Sequence, residues 1–318
     1  MSDISRRVVP ANGIEIEIAE AGDGPLVVLC HGFPELSYSW RHQLPALAAA
    51  GYHAVAPDQR GYGGTTAPEA VNDYDIVHLT DDMLGLLDAL GEESAVFVGH
   101  DWGAPVVWTL ALRAPERVRG VGALSVPYGP PRGQLPTTQL LEQVFGEVWF
   151  YMLYFQEPGI ADADLGRDPA TTMRRLFGSL AGDATPDQVA SLLAKDDRGF
   201  VERLPEPGGL PGWVTQDEFD HFVATFTRTG FTGGLNWYRN LDRNWELTAD
   251  LDGERVEVPA LFIGGAADPA TAMISPGRMD GWVTDLRVST MLDGVGHWIQ
   301  QERPDEINAA LVEFLKGL

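Results

Sequence analysis

The sequence feature that most constrains this chain is the stretch 94–104, which reads SAVFVGHDWGA. Residues 95–98 form an apolar run typical of a buried strand, and the apolar spacing after residue 104 is that of a helix. Small residues on both sides of position 101 would let one residue occupy a sharp turn between strand and helix and present its side chain. The residue at that position is Asp101. Turns of this type commonly carry a serine, so a carboxylate here indicates a different chemistry.

Length and charge limit the classes of protein to which this chain can belong. Its 318 residues are enough for one large α/β domain with an inserted lobe. The formal net charge of −24 argues against nucleic acid or an anionic membrane as a partner. No apolar run is long enough to span a bilayer, and residues 1–4 show no signal-peptide pattern. The single cysteine, Cys30, excludes an internal disulfide, so we expect a cytoplasmic protein in which Cys30 is a buried structural thiol.

The hydrophobic pattern predicts strands that alternate with helices. The predicted strands are 6–10, 14–19, 26–30, 53–56, 95–98, 118–125, 260–264 and 286–292. The predicted helices are 40–50, 75–90, one from the turn at Asp101 to about residue 114, and one that starts at Pro304. This alternation predicts a parallel sheet with helices on both faces.

The alternation stops between residues 129 and 244. This region contains aromatic helical segments at 145–155 and 219–238 and a stretch rich in Pro and Gly at 204–212. We therefore predict a core built from residues 1–128 and 245–318, with residues 129–244 inserted as a helical cap.

Three residues at predicted strand ends suggest a catalytic set. Asp101 follows the fifth strand, Asp268 follows the seventh, and His297 lies just past the last. In an open α/β sheet, sites assemble at the carboxyl ends of the strands. Each residue alone has a plain structural explanation, since Asp268 could cap a turn and His297 could be a buried, hydrogen-bonded histidine. Together they have the order nucleophile, acid, base of the α/β hydrolases, which predicts Asp101 as nucleophile, His297 as general base and Asp268 as its orienting partner.

The stretch 31–34, which reads HGFP, follows the third predicted strand. Its alternative reading is a plain turn made by Gly32 and Pro34. With the Asp101 turn downstream, we expect instead that the backbone N–H of Phe33 pairs with that of Trp102 to form an oxyanion hole.

The chain resembles the α/β-hydrolase-fold epoxide hydrolases of the soluble type over nearly its whole length. Residues 31–35 (HGFPE), 99–103 (GHDWG) and 296–298 (GHW) match core motifs of that family. Residues 154–159 (YFQEPG) and 234–240 (GLNWYRN) are similar to the segments that flank its two ring-opening tyrosines. The resemblance implies an α/β-hydrolase fold, with a mostly parallel eight-stranded sheet, helices on both faces and a helical cap. It implies Tyr238 and Tyr151 as the ring-opening pair.

The chemistry of an epoxide suits these residue types. Attack on its sp³ carbon is a displacement that an anionic carboxylate performs directly, and the product is an ester on Asp101. The leaving alkoxide is strongly basic, and tyrosine, with a pKa of about 10, remains protonated at neutral pH and is able to donate to it. His297, oriented by Asp268, then activates a water that hydrolyses the ester.

Neither a cofactor nor a metal is expected, because this reaction requires none and the seven histidines are scattered. The expected partners are a small-molecule epoxide and water. The residues expected to contact an apolar substrate are Trp102, Phe150, Tyr154, Phe155, Trp237 and Trp298. The identity of the epoxide is not readable from the sequence, which is also compatible with a homo-oligomer.

Tyr151 and Tyr154 are three residues apart and would share one helix face, so residue patterns alone do not separate them. The resemblance favours Tyr151. Either tyrosine could instead be a packing residue, because neighbouring aromatic residues form an apolar wall.

Three other functions use the same scaffold. A haloalkane or haloacid dehalogenase would use the same Asp101, His297 and Asp268, and Trp102 is compatible with a halide site. Phe33 has no side-chain donor for a halide, however, and the cap tyrosines favour an epoxide. A non-catalytic ligand receptor is a minor alternative, because every residue that the predicted reaction requires is present in the chain. A serine esterase is disfavoured by the aspartate at position 101.

Overall fold

A computed structural model of the chain describes residues 4–130, 132–182 and 193–318. The first three residues, part of the segment in which we find no signal-peptide pattern, lie outside the described ranges. Within them, eight strands form one sheet, ordered β1-β2-β4-β3-β5-β6-β7-β8. The strands are β1 (Ser5–Ala11), β2 (Ile14–Ala21), β3 (Leu26–Cys30), β4 (His53–Pro57), β5 (Ala95–His100), β6 (Val118–Leu124), β7 (Ala260–Gly265) and β8 (Leu286–Leu292). β2 is antiparallel to β1 and β4, and the remaining neighbours are parallel, which confirms the predicted sheet.

The core helices cover both faces of this sheet. They are α1 (Gln43–Ala49), α2 (Ile76–Leu90) and α3 (Gly103–Arg113), and later α12 (Pro269–Met273), α13 (Ile299–Glu302) and α14 (Pro304–Lys316). Short 3₁₀ helices lie at Ser37–Trp40, Val71–Tyr74, Pro115–Arg117, Ala249–Leu251 and Pro276–Met279. The predicted helix 40–50 thus begins as a 3₁₀ turn, and the predicted helix 75–90 begins after Asp75, whose side chain caps it.

The central strands are mainly apolar because both of their faces are buried. In β3, Leu26, Val28 and Cys30 pack with α2 and α3 on one face, whereas Val27 and Leu29 pack with α1 and α14 on the other. Burying each such side chain contributes about 1.5–3 kcal/mol. Cys30 is fully buried, as predicted.

Between β6 and β7 the described residues contain helices and no strand. These helices are α4 (Thr137–Phe145), α5 (Tyr151–Tyr154), α6 (Ile160–Gly166), α7 (Pro169–Ser179), α8 (Phe200–Arg203), α9 (Gln216–Thr229), α10 (Thr232–Arg239) and α11 (Leu241–Leu247). We refer to this region as the cap. The division at 129–244 stays a prediction, and residue 244 falls within α11.

Two of the predicted cap helices are interrupted. The prediction of one helix over 145–155 is wrong between α4 and α5, where Phe150 has an extended backbone. The ring of Phe150 stacks on that of Phe145 at 4.0 Å, so the aromatic pattern reflects packing across a break. The segment 219–238 is divided into α9 and α10 at Gly230, whose φ of +67° ends the first helix.

Among the helices that the structure describes, none combines the length and apolar character needed to cross a bilayer.

Candidate active site

Asp101 lies at the apex of the turn between β5 and α3. Its φ is +49°, a left-handed conformation that is rare for a residue with a side chain. The turn closes tightly because its neighbours are glycines: a Cβ on Gly99 would overlap the backbone of Gly103, and a Cβ on Gly103 would overlap the carbonyl of Cys30. The structure therefore has the sharp strand–turn–helix that the sequence predicts.

The two oxygens of the Asp101 carboxylate have different partners. The backbone N–H of Phe33 donates to Oδ1 at 2.7 Å. Nε2 of His297 lies 3.5 Å from Oδ2. The chain at Gly32 passes so close to this carboxylate that a Cβ there would overlap it. One carboxylate oxygen is therefore held by a backbone amide, and the other faces an imidazole.

His297 and Asp268 form a buried pair behind Asp101. Nδ1 of His297 lies 3.0 Å from Oδ1 of Asp268, which also accepts the N–H of Ala270 at the start of α12. Burial opposes the charged form of His297, but the carboxylates of Asp268 and Asp101 outweigh it and raise its pKa well above the ordinary value. Burial likewise opposes ionisation of Asp268, but His297 lowers its pKa.

The backbone of His297 is held from both sides. Its N–H donates to the carbonyl of Leu180 in the cap at 2.7 Å. Its carbonyl accepts from Nε2 of His100 at 2.7 Å and from Oγ of Ser125 at 3.0 Å. These contacts determine where the imidazole points.

His100 is itself part of a buried hydrogen-bonded pair. Its Nδ1 lies 2.6 Å from Oε2 of Glu35, and both side chains are fully buried. Burial opposes ionisation of Glu35, but the neighbouring His100 lowers the pKa of this carboxyl to about 2. Glu35 also accepts the N–H of Gly32 at 2.9 Å, so the pair connects the loop at Phe33 with the loop at His297.

Two tyrosines of the cap lie above this site. The ring of Tyr238, on α10, meets that of Trp102 edge-on at 5.1 Å and that of Tyr151 at 6.0 Å. Burial, followed by the negative charge of Asp101, raises the pKa of both tyrosines well above the ordinary value. Both phenols therefore hold their protons next to the carboxylate.

Tyr154 has a different environment from Tyr151. Its hydroxyl donates to Oδ2 of Asp164 within the cap at 3.3 Å. Burial, with the charge of Asp164, raises its pKa to about 12. The structure thus brings Tyr151, but not the hydroxyl of Tyr154, towards Tyr238.

The other residues predicted to contact the substrate differ in how near they lie to the two phenols. The ring of Phe155 is 5.1 Å from that of Tyr238 and 5.5 Å from that of Tyr151. Phe150 lies 5.0 Å from Tyr151. These rings and Trp102 therefore surround the two phenols directly.

Trp237 and Trp298 lie behind the residues that surround the phenols, and both are fully buried. Trp237 packs behind Trp102 at 6.0 Å and donates from Nε1 to the carbonyl of Arg60 at 3.2 Å. Trp298 packs 5.0 Å from His297 and 5.1 Å from Phe177 of the cap.

Several supporting residues have no role in the sequence analysis. Glu35 and His100 lie inside recognised motifs, but a motif does not show that they pair. Ser125 follows β6 at the same sheet edge as Asp101, Asp268 and His297, which is the signal that could have found it. The contact of Leu180 with His297 joins distant parts of the chain, and no local pattern predicts it. Within the described ranges, no cluster of three or more His, Cys, Asp or Glu side chains could hold a metal ion.

Comparison with known proteins first defines the class of this fold and site. A family model described as alpha/beta hydrolase fold matches residues 25–304. Epoxide hydrolase A of Mycobacterium tuberculosis is 56% identical over 99% of this chain and 98% of its own length. The crystal structure of epoxide hydrolase A from Mycobacterium thermoresistibile has a TM-score of 0.96 and 56% identity, covering 99% of both chains. An epoxide hydrolase from an endophytic Streptomyces has a TM-score of 0.95 and 43% identity, covering 99% of this chain and 96% of the other.

The chain belongs to the epoxide hydrolase family of α/β-hydrolase-fold enzymes.

Proposed function

We propose that this enzyme converts an apolar epoxide into a vicinal diol through a covalent ester on Asp101. The observation that carries the proposal is the environment of the Asp101 carboxylate. One oxygen accepts the N–H of Phe33 at 2.7 Å, and the other is 3.5 Å from Nε2 of His297. Two protonated phenols, Tyr151 and Tyr238, lie on the cap side of the same carboxylate.

In the first step Asp101 is the nucleophile. Oδ2 attacks a ring carbon while the bond from that carbon to the epoxide oxygen breaks. The alkoxide that forms takes a proton from Tyr238 or Tyr151. The held oxygen, Oδ1, becomes the carbonyl oxygen of the ester, already bonded to the N–H of Phe33.

Ester formation also prepares His297 for the second step. It removes the negative charge of Asp101, one of the two carboxylates that raise the pKa of His297. The imidazolium then passes its proton to the phenolate left by ring opening, so His297 becomes neutral and the tyrosine is restored. Neutral His297, oriented by Asp268, then takes a proton from a water that attacks the ester carbonyl, and the N–H groups of Phe33 and Trp102 stabilise the oxyanion. The proton that His297 took from water leaves with the diol, and the second water proton, left on Asp101 as a carboxylic acid, passes to His297, which restores the starting enzyme.

The substrate is apolar around its reacting ring. Trp102, Phe150 and Phe155 surround the two phenols, and these side chains offer a binding surface without charge. We assign Tyr154 to the wall of this pocket because its hydroxyl is engaged by Asp164. Trp237 and Trp298 support the wall through Trp102 and His297.

The His297→Gln variant tests the proposal. It removes the base but leaves the nucleophile, so we expect the ester to accumulate. Mass spectrometry of the intact protein should show an adduct with the mass of the added epoxide, and peptide mapping should place it at Asp101. Asp101→Ala is the control and should give no adduct. If the His297→Gln protein is not modified at Asp101 by an epoxide that the unaltered enzyme hydrolyses, the proposed mechanism is wrong.

We also propose that residues 129–244 act as a cap inserted between the core segments 1–128 and 245–318, and that the enzyme is cytoplasmic. The cap is supported by the two phenols that it places opposite Asp101. The location is supported by the lone, buried cysteine, which leaves no disulfide to form. Subcellular fractionation of the source cells, with activity measured in each fraction, tests the location.

A further inference from the structure

The carboxylate of Glu302, the last residue of α13, accepts three backbone N–H groups. Oε2 accepts from Gly296 at 3.0 Å and from Gly182 at 3.3 Å. Oε1 accepts from Trp298 at 3.0 Å. Gly296 and Trp298 are the residues on either side of His297, and Gly182 belongs to the cap. One side chain thus binds the loop of the general base and a segment of the cap together.

The backbones of these two segments are in direct contact. A Cβ on Gly296 would overlap the backbone at Ala181 and Gly182, and a Cβ on Gly182 would overlap that of Gly294. The N–H of His297 donates to the carbonyl of Leu180 in the same cap segment. The three bonds to Glu302 therefore complete an interface built from main-chain atoms.

The position of Glu302 favours a role in alignment over a role in chemistry. Its carboxylate is directed at the backbone on both sides of His297, and Asp268, not Glu302, binds the imidazole. Burial raises the pKa of Glu302, while its three amide hydrogen bonds lower it. Burial has the larger effect, so the amides replace only part of the water that this side chain has lost. An amide side chain could not reproduce the arrangement, because its NH₂ group would face an N–H donor.

We infer that Glu302 is a positioning residue for the second half of the reaction: it holds the His297 loop against the cap, so that Nε2 is directed at the ester while the cap retains the substrate. The inference rests on the proposed role of His297. Attack by Asp101 requires no base, whereas ester hydrolysis does. Loss of the Glu302 carboxylate should therefore slow hydrolysis of the ester and leave its formation nearly unchanged.

The test is a comparison of Glu302→Gln with Glu306→Gln. Glu306 is a matched control because it lies four residues later, is exposed, and pairs only with Arg303 among the described residues. Enzyme in excess is mixed with an aryl epoxide, quenched at short times and weighed by mass spectrometry, which gives the rates of ester formation and hydrolysis in the same sample. Both rates are those of the folded molecules, so a loss of folded protein alone does not change their ratio.

We expect Glu302→Gln to slow hydrolysis about 10- to 100-fold, the usual cost of misplacing a catalytic group, and to change ester formation less than about twofold. Glu306→Gln should change neither rate. Equal slowing of both steps, or no slowing, would overturn the inference.

Two further measurements keep the result decisive. If Glu302→Gln yields no folded protein, Glu302→Asp, which keeps the charge on a shorter side chain, should slow the same step and not the other. Amide hydrogen exchange at residues 296–298 should be faster in the folded Glu302 variant than in Glu306→Gln. His297→Gln is run in parallel: if it accumulates no ester, the proposed function fails, and if it does while Glu302→Gln does not, only the present inference fails.

Discussion

Asp101 lies close to three ionisable side chains, and its negative charge affects all of them. It raises the pKa of His297, and it adds to burial in raising the pKa values of Tyr151 and Tyr238. In the free enzyme the charge therefore keeps the phenols protonated, as ring opening requires, and favours the imidazolium form of His297. In the proposed mechanism Asp101 becomes an ester, so that charge is lost, and His297 is able to lose its proton and act as a base.

The pH dependence of ester hydrolysis should show this change. Since the base must be neutral, the rate should rise with pH and level off above the pKa of His297 in the ester form. We expect the midpoint of this rise to lie below the pKa of His297 in the free enzyme, which exceeds its ordinary value of 6.5. Single-turnover rates of ester hydrolysis at several pH values give the midpoint of the rise. NMR titration of the His297 ring gives its pKa in the free enzyme. A midpoint at or above the free-enzyme pKa would contradict the account.

The two phenols should act on ring opening alone. Tyr238→Phe and Tyr151→Phe remove one hydroxyl each, and we expect each to slow ester formation on the order of 10²-fold, with the double variant nearly inactive. Rapid-quench measurement of ester formation checks this. Tyr154→Phe is the matched control, because the hydroxyl of Tyr154 is bound to Asp164. If Tyr154→Phe proves as damaging as Tyr151→Phe, the assignment of the second phenol is wrong.

At the scale of single elements, the turn after β5 depends on the absence of side chains. A Cβ on Gly103 would overlap the carbonyls of Cys30 and His31, which belong to the backbone and have little room to move. We expect Gly103→Ala to lower the free energy of unfolding by about 1–3 kcal/mol and to reduce turnover by displacing Asp101. Denaturant unfolding and steady-state kinetics measure the two effects.

Gly129 provides the control for this change. A Cβ there would meet nothing within 4 Å, so Gly129→Ala should alter stability by no more than about 0.5 kcal/mol. Equal stability of the Gly103 and Gly129 variants would show that the turn tolerates a side chain.

The elements that the sequence predicts correctly are those whose pattern has one physical cause. The strands of the sheet centre are mainly apolar because both faces are covered, and each is predicted to within a few residues. The segment 145–155 was predicted as one helix because stacked rings such as Phe145 and Phe150 give an apolar pattern across a break. The strand order, in which β4 lies between β2 and β3, depends on long-range pairing and carries no local signal.

At the scale of the whole molecule, the cap and the core form one site. In the proposed mechanism the core supplies the attacking carboxylate, the oxyanion-hole amides and the base, and the cap supplies the phenols. Arg41 of the core also joins the two parts. Its guanidinium donates to Glu218 of α9 at 2.6 Å and to Gln301 of α13, the residue before Glu302, at 2.6 Å. The juxtaposition of Asp101, Asp268 and His297 was predictable because each of them follows a strand. The contacts that align them were not, because they join distant segments through backbone atoms.

The central claim is that the substrate becomes bonded to Asp101 before water reacts. A single turnover in ¹⁸O-water, with enzyme in excess over epoxide, tests it most directly. Water attacks the ester carbonyl in our account, so ¹⁸O should enter the carboxylate of Asp101, detected in the peptide that contains it, and the first diol formed should carry none. Appearance of ¹⁸O in that diol, with none in Asp101, would show that water attacks the epoxide directly and would contradict the account.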